Sequence, residues 1–247
     1  ALDCDALSVA YQPILDVKTG AIRAAEALLR WRQPDGSFVA PEEFVAVAEE
    51  SGLIIRLGEF AMDRACEQLA EWRRSGVALP HICVNVSKAQ LMSSRFSLSV
   101  QRILQKHKLE PSDLELEISE RGVLSGDYDV ITQLHELKKL GVELSIDDFG
   151  TGESALAYLK ELPVDALKID RSYIAGLADD GKDAAIVSAI VALGQSLNLM
   201  VVAEGIETDH QLAALRELGC DCYQGFLTAK ALAPESFATF ARNAGVE

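Results

Sequence analysis

Short strand-like runs alternate along this chain with longer segments of helical periodicity, and that alternation constrains the fold more than any single motif. Val9 to Val17 reads as a strand, Lys18-Thr19-Gly20 as a tight turn, and Ala21 to Trp31 as its hairpin partner. From there the pattern becomes strand then helix. Strands are expected at His81 to Ser87, Leu114 to Ser119, Val142 to Asp147, Ala166 to Asp170, Leu199 to Glu204 and Asp221 to Gly225. Helical patterns fall at Gly58 to Arg74, Val130 to Leu140, Asp183 to Leu197 and His210 to Leu218, with Gly76, Gly141 and Gly219 placed to close three of them. Strand and helix repeated this often favour a parallel sheet closed into one barrel over separate domains. A length of 247 residues suits a single α/β barrel.

The strand ends are unusual. Glu26, Asn85, Glu117, Asp147 with Asp148, Lys168 and Glu204 each stand at the exit of a strand-like run. In Leu114-Glu115-Leu116-Glu117-Ile118-Ser119 the aliphatic residues alternate with polar ones, so Glu115, Glu117 and Ser119 share the face expected to line the lumen. Barrel sites are built where the parallel strands end. Carboxylates gathered at one rim repel one another unless cations neutralise them. Magnesium or manganese meets that need, because hard cations take Asp, Glu and Asn oxygens and water.

Composition limits the alternatives. Hydrophobic residues make up 49% and charged residues 25%, as in a globular chain, while a net charge of -15 excludes a sequence-independent grip on DNA or RNA. The longest nearly apolar stretch, Ala184 to Leu193, is about half the length of a bilayer span, so membrane insertion of this fragment is not expected. The five cysteines lack CxxC spacing and read as reduced structural thiols of a cytoplasmic protein. Cys220 and Cys222 alternate on a strand and make a poor zinc pair. The four histidines lack metal-ligand spacing, and surface or cap positions are expected for them. Asp148-Phe149-Gly150 has no glycine-rich loop and lysine strand upstream of it, which sets a kinase reading aside.

Seven ordered blocks then carry a resemblance over nearly the whole chain. Tyr11-Gln12-Pro13-Ile14 with Glu26-Ala27-Leu28-Leu29-Arg30-Trp31 resembles the opening of the EAL-domain cyclic di-GMP phosphodiesterases. Asn85-Val86-Ser87, Glu117-Ile118-Ser119-Glu120, Asp147-Asp148-Phe149-Gly150-Thr151-Gly152, Leu167-Lys168-Ile169-Asp170, Ala203-Glu204-Gly205-Ile206-Glu207-Thr208 and Gln224-Gly225-Phe226 resemble its successive motifs.

The resemblance implies a TIM-type (β/α)8 barrel whose first strand is antiparallel to the rest. It implies two divalent metals, Mg or Mn, with Glu26, Asn85, Glu117 and Asp147 on one, and Asp147 bridging to a second that Asp148 also contacts. Lys168 and Glu204 would lie beside the attacking water, and Glu26 is counted with them as catalytic. Gln12, Arg30, Glu207 and Gln224 would line the substrate site, Arg30 at a phosphate. Glu120 and Ser154 would support the loop after Asp148. The implied reaction is hydrolysis of cyclic di-GMP to linear pGpG, the alternative being a receptor of the same family that binds cyclic di-GMP without hydrolysing it.

The chain departs from the family pattern twice. Glu153-Ser154-Ala155 stands where Tyr-Ser-Ser is usual, in a loop the family links to homodimer contact, and Thr228-Ala229-Lys230-Ala231 replaces a Phe-containing run, a change expected to be peripheral. The chain opens on Ala1 and is expected to be one module of a larger signalling protein that carries regulatory domains.

Overall fold

A computed structural model describes residues 6–123, 128–152, 159–177 and 181–244. Ser154, with Glu153 and Ala155, lies outside the described residues. The first hairpin forms where the sequence places it: β1 (Leu7–Asp16) and β2 (Ile22–Arg32) pair antiparallel through a turn in which Asp16 Oδ1 accepts the backbone N–H groups of Lys18 and Thr19 at 3.0 and 2.8 Å. A two-residue strand, β3 (Phe38–Val39), extends β2 at its edge. Six more strands follow: β4 (His81–Val86), β5 (Leu114–Ser119), β6 (Glu143–Phe149), β7 (Ala166–Ile169), β8 (Met200–Glu204) and β9 (Cys222–Gln224).

The sheet runs β1-β9-β8-β7-β6-β5-β4-β2-β3, and the β1–β2 pairing closes it into an eight-stranded barrel with β3 outside the ring. The strands from β2 through β4 to β9 are mutually parallel, whereas β1 is antiparallel to both its neighbours, β2 and β9. The expected TIM-like architecture with a reversed first strand is therefore observed.

Helices cover the barrel where their periodicity puts them. The helix expected from Gly58 begins earlier, at Ile54, and runs to Arg74; Gly58 is buried inside it, where a Cβ would meet the Gln90 side chain at 2.3 Å. The turn of helix at Gly58 is thus a packing surface, which is why glycine there does not mark a helix start. The helix Pro234–Ala244 packs against the outside of β1. Tyr11 of that strand meets Trp72 edge-on at 4.7 Å, and Trp72 stacks on Phe237 at 4.6 Å. This aromatic layer gives the reversed strand a hydrophobic backing of its own. No helix among the described residues is long and apolar enough to cross a membrane.

Candidate active site at the strand ends

Registers explain how residues distant in sequence become neighbours. Gln12 pairs with Glu26 across β1 and β2, Asn85 with Glu117 across β4 and β5, Ser119 with Asp147 across β5 and β6, and Glu204 with Gln224 across β8 and β9. Lys168 is in register with Val202, two residues short of Glu204, so both side chains project to the same face. A residue slip in any of these strands would turn its polar group out of the lumen.

The ammonium of Lys168 sits inside a ring of acids. Its Nζ lies 2.7 Å from Glu204 Oε1, 2.8 Å from Glu117 Oε1, 3.5 Å from Asp147 Oδ1 and 3.7 Å from Glu26 Oε2. Asn85 Nδ2 donates to Glu26 Oε1 at 2.8 Å and to Glu117 Oε2 at 3.3 Å, while Gln224 Nε2 donates to Glu26 Oε2 at 2.7 Å. Oxygens of Asp147, Asp148 and Glu204 all lie within 4.8 Å of one another. The buried oxygens Glu117 Oε1 and Gln224 Oε1 have no hydrogen-bond partner, and the Lys168 ammonium is held by charge without an aligned hydrogen bond.

The electrostatics follow from burial and crowding. Burial, with Glu26 beside it, pushes Glu117 well above the usual carboxylate range. Glu204 is raised to about 8 by burial, with Asp147 and Glu26 adding to the shift and Lys168 opposing it. Asp148 rises to about 6 through burial and its neighbour Asp147. Glu26 behaves oppositely. Burial works to raise it, but Lys168 and the hydrogen bonds from Gln224 and Asn85 leave it below its ordinary value. One lysine does not neutralise this ring. An all-oxygen donor set, a buried Gln224 oxygen without a partner and a surplus of negative charge fit hard divalent cations.

The loop after β6 is built to present Asp148. That residue has φ +55°, a left-handed conformation uncommon outside glycine, and Gly150 follows at φ +101°. The Glu120 carboxylate accepts the backbone N–H groups of Gly150 and Gly152 at 2.8 and 3.1 Å. From the other side, the Tyr173 hydroxyl donates to the Gly150 carbonyl, and the Tyr173 ring packs so that a Cβ on Gly150 would meet it at 2.9 Å. Gly225 meets a similar demand: a Cβ there would lie 2.0 Å from the Ile206 carbonyl oxygen, so only glycine lets the β9 exit pass and leave Gln224 at the rim.

Above the ring opens a cleft of about 1120 Å³. Gln12, Glu26, Arg30, Glu120, Asp147, Asp148, Glu204, Glu207 and Gln224 line it. Asn85, Glu117 and Lys168 lie deeper, beneath its floor, and touch the lining acids. Gln12 Nε2 donates to the Ala229 carbonyl at 3.1 Å, Arg30 is half-buried, and the Glu207 side chain is exposed on the wall.

Several lining residues escaped the sequence reading. Lys230 and Ala231 line the cleft, so the 228–231 run is not peripheral; its neighbour Ala229 anchors Gln12, and the Lys230 ammonium sits 5.0 Å over the ring of exposed Phe226. Arg121, Asp170 and Arg171 also line it. Asp170 was discoverable, since it stands two residues beyond Lys168 and therefore on the same face. The histidine expectation is corrected as well: His81 is partly buried inside the barrel against Glu115, at 3.0 Å, and the side chain of His107, largely buried, meets Asp63 at 2.9 Å.

A family model for the EAL domain matches residues 1–231. The chain belongs to the EAL-domain family. Among its relatives, MucR of Pseudomonas aeruginosa, a bifunctional diguanylate cyclase/cyclic di-GMP phosphodiesterase, is 45% identical over 235 residues, covering 95% of this chain and 34% of MucR. NbdA of the same organism, a cyclic di-GMP phosphodiesterase, is 40% identical over 242 residues, covering 98% of this chain and 31% of NbdA. The chain thus spans about a third of the length of these relatives. The solved structure of the PaMucR phosphodiesterase in a c-di-GMP complex superposes with this EAL domain at a TM-score of 0.91, at 44% identity, covering 96% of each chain.

Proposed function

We propose that this EAL domain hydrolyses cyclic di-GMP to linear pGpG at the rim of its barrel, with two divalent metals, Mg or Mn. The observation that carries the reading is the convergence, from six strands, of Glu26, Asn85, Glu117, Asp147, Lys168 and Glu204 on one open cleft, Glu26 coming from the middle of β2 and not from its exit. The phosphodiesterase activity of the MucR and NbdA relatives supports it.

Glu26, Asn85, Glu117 and Asp147 would hold one ion, and Asp147 with Asp148 the other. Bound there, divalent ions lower the pKa of water toward neutrality and offset charge on the attacking and leaving oxygens. The chain's own groups do the rest. Glu204, partly open to the cleft, takes a proton from the water as its oxygen bonds to phosphorus; the P–O3′ bond breaks and the leaving oxygen is protonated from solvent. Lys168 Nζ, between Glu204 and Glu117, orients the water and stabilises negative charge growing on the phosphoryl oxygens. Arg30 offers a cation to the phosphate, and Gln12, Glu207 and Gln224 offer polar contacts along the cleft. Regulation by further domains of a longer parent protein, and pairing into a homodimer, belong to the same proposal.

Purified chain incubated with cyclic di-GMP in Mg²⁺, Mn²⁺ or chelator, followed by chromatography, tests it. Metal-dependent pGpG supports the enzyme; tight binding with no product in any metal would replace it with the receptor reading.

A further inference from the structure

At the opposite end of the barrel lies a second group of ligating side chains that this chemistry does not use. His81 and Cys83 stand two apart on β4, so both face the lumen, and Glu115 is in register with Cys83 on β5. His81 Nε2 is 3.0 Å from Glu115 Oε2, and one ligating atom from each of His81, Cys83 and Glu115 lies within 4.8 Å of the other two. Cys83 is fully buried and Glu115 nearly so, while the His81 side chain keeps 14% of its surface open at the N-terminal mouth of the barrel. An ion therefore has a way in and dry walls once there. Those walls are Ile14, Ala24, Val202, Cys222 and Met200, which pack with Cys83.

We propose that His81, Cys83 and Glu115 form a zinc site distinct from the rim. The donor set decides the metal. Imidazole nitrogen, thiolate and carboxylate are each zinc ligands, whereas magnesium demands oxygen ligands and keeps its water. Three protein ligands leave a fourth position for water from the mouth. Two residues on one strand face and one across the register hold the donors on rigid backbone, so little ordering is needed on binding.

The surrounding charges favour a cation. Glu143, in register with Glu115 on β6, is half-buried beside the pair and adds negative potential. Empty of metal, Cys83 is a thiol, held well above its ordinary pKa by burial and by Glu115 and Glu117. On binding, the thiol proton leaves to solvent, and the His81–Glu115 contact is exchanged for two bonds to the ion. The same carboxylates that disfavour a bare thiolate stabilise the cation that replaces its proton.

Sequence reading missed the site because His-x-Cys is not a zinc spacing by itself; the third ligand comes from the next strand, 32 residues on from Cys83 to Glu115.

Cobalt(II) is the probe, because only a thiolate ligand gives it an intense near-ultraviolet sulfur-to-metal charge-transfer band, which an all-oxygen rim site cannot produce. The reduced chain, titrated with Co²⁺ in excess Mg²⁺, is expected to develop that band and lose it to one equivalent of Zn²⁺. Cys83→Ala should abolish the band, Cys222→Ala should keep it, and His81→Ala, which retains the thiol, should weaken Zn²⁺ affinity by at least about 10-fold. A wild-type chain with no band, a band that survives Cys83→Ala, or unchanged affinity in His81→Ala would overturn the proposal. None of these readouts depends on cyclic di-GMP hydrolysis.

Discussion

Lys168 on β7 and Glu204 on β8 meet at 2.7 Å, although the register pairs Lys168 with Val202. The contact joins side chains that stand at successive levels of one lumen face. It leaves the ammonium shared among four carboxylates that it cannot neutralise alone, and their mutual repulsion adds to the burial that raises Glu117 and Glu204. The two divalent cations proposed for this rim would supply the missing positive charge.

Glu26 is the acid with the most specific partners, Asn85, Gln224 and Lys168. Glu26→Ala is expected to lower cyclic di-GMP turnover by more than about 10³-fold, because an ion ligand and the anchor for two amides are lost together. Circular dichroism should show the fold kept. Hydrolysis at the wild-type rate would remove Glu26 from the metal assignment.

Lys168→Met removes the only ammonium in the ring while roughly preserving volume. Breaking a buried charge network typically destabilises by about 3–5 kcal/mol. Thermal unfolding in chelator should show a loss of that order, and added Mn²⁺ should return part of it. Unchanged stability in chelator would mean that the acids are not held together by this charge.

Metal binding should depend on pH in a direction set by the raised acids. Glu204 near 8 carries a proton over most of the neutral range and Asp148 near 6 only at its acidic edge, and a cation bound beside them displaces those protons. Mn²⁺ binding is therefore expected to release protons, and its affinity to rise with pH until Glu204 is ionised. Calorimetry in buffers of different ionisation enthalpy reads the proton count directly; no proton release near neutral pH would contradict the raised values.

Much of this was legible in the sequence, for physical reasons that differ by residue. Glu117 and Asp147 alternate with aliphatic residues on their strands, so a two-residue period alone assigns them to the lumen, and the register then makes Glu117 a neighbour of Asn85. The Lys18-Thr19-Gly20 turn announced the hairpin that reverses β1. Lys230, by contrast, sits in a stretch without periodicity, and only the hydrogen bond from Gln12 to Ala229, across 217 residues, brings that stretch to the cleft. Tyr173 was equally hidden, because its partner is a backbone carbonyl and leaves no trace in side-chain pattern.

Tyr173 and Glu120 grip opposite sides of the Gly150 peptide, and through it the left-handed Asp148. Gly150→Ala should be severe, since it strains a φ of +101° and drives a methyl into the Tyr173 ring; Mn²⁺ affinity and turnover should both fall by at least about 10-fold. Tyr173→Phe keeps the ring and removes the hydroxyl, and should weaken Mn²⁺ binding by a smaller factor with KM for cyclic di-GMP unchanged. Equal Mn²⁺ affinity in wild type and both variants would show that loop geometry does not control the second ion.

The most direct measurement is a turnover of cyclic di-GMP in ¹⁸O-labelled water with Mn²⁺, followed by mass spectrometry of the product. The expected result is pGpG carrying one heavy oxygen on its terminal phosphate, formed with Mn²⁺ and absent in chelator. Intact cyclic di-GMP recovered from a metal-loaded, folded chain, or pGpG formed equally well in chelator, would contradict metal-assisted attack of water at this rim.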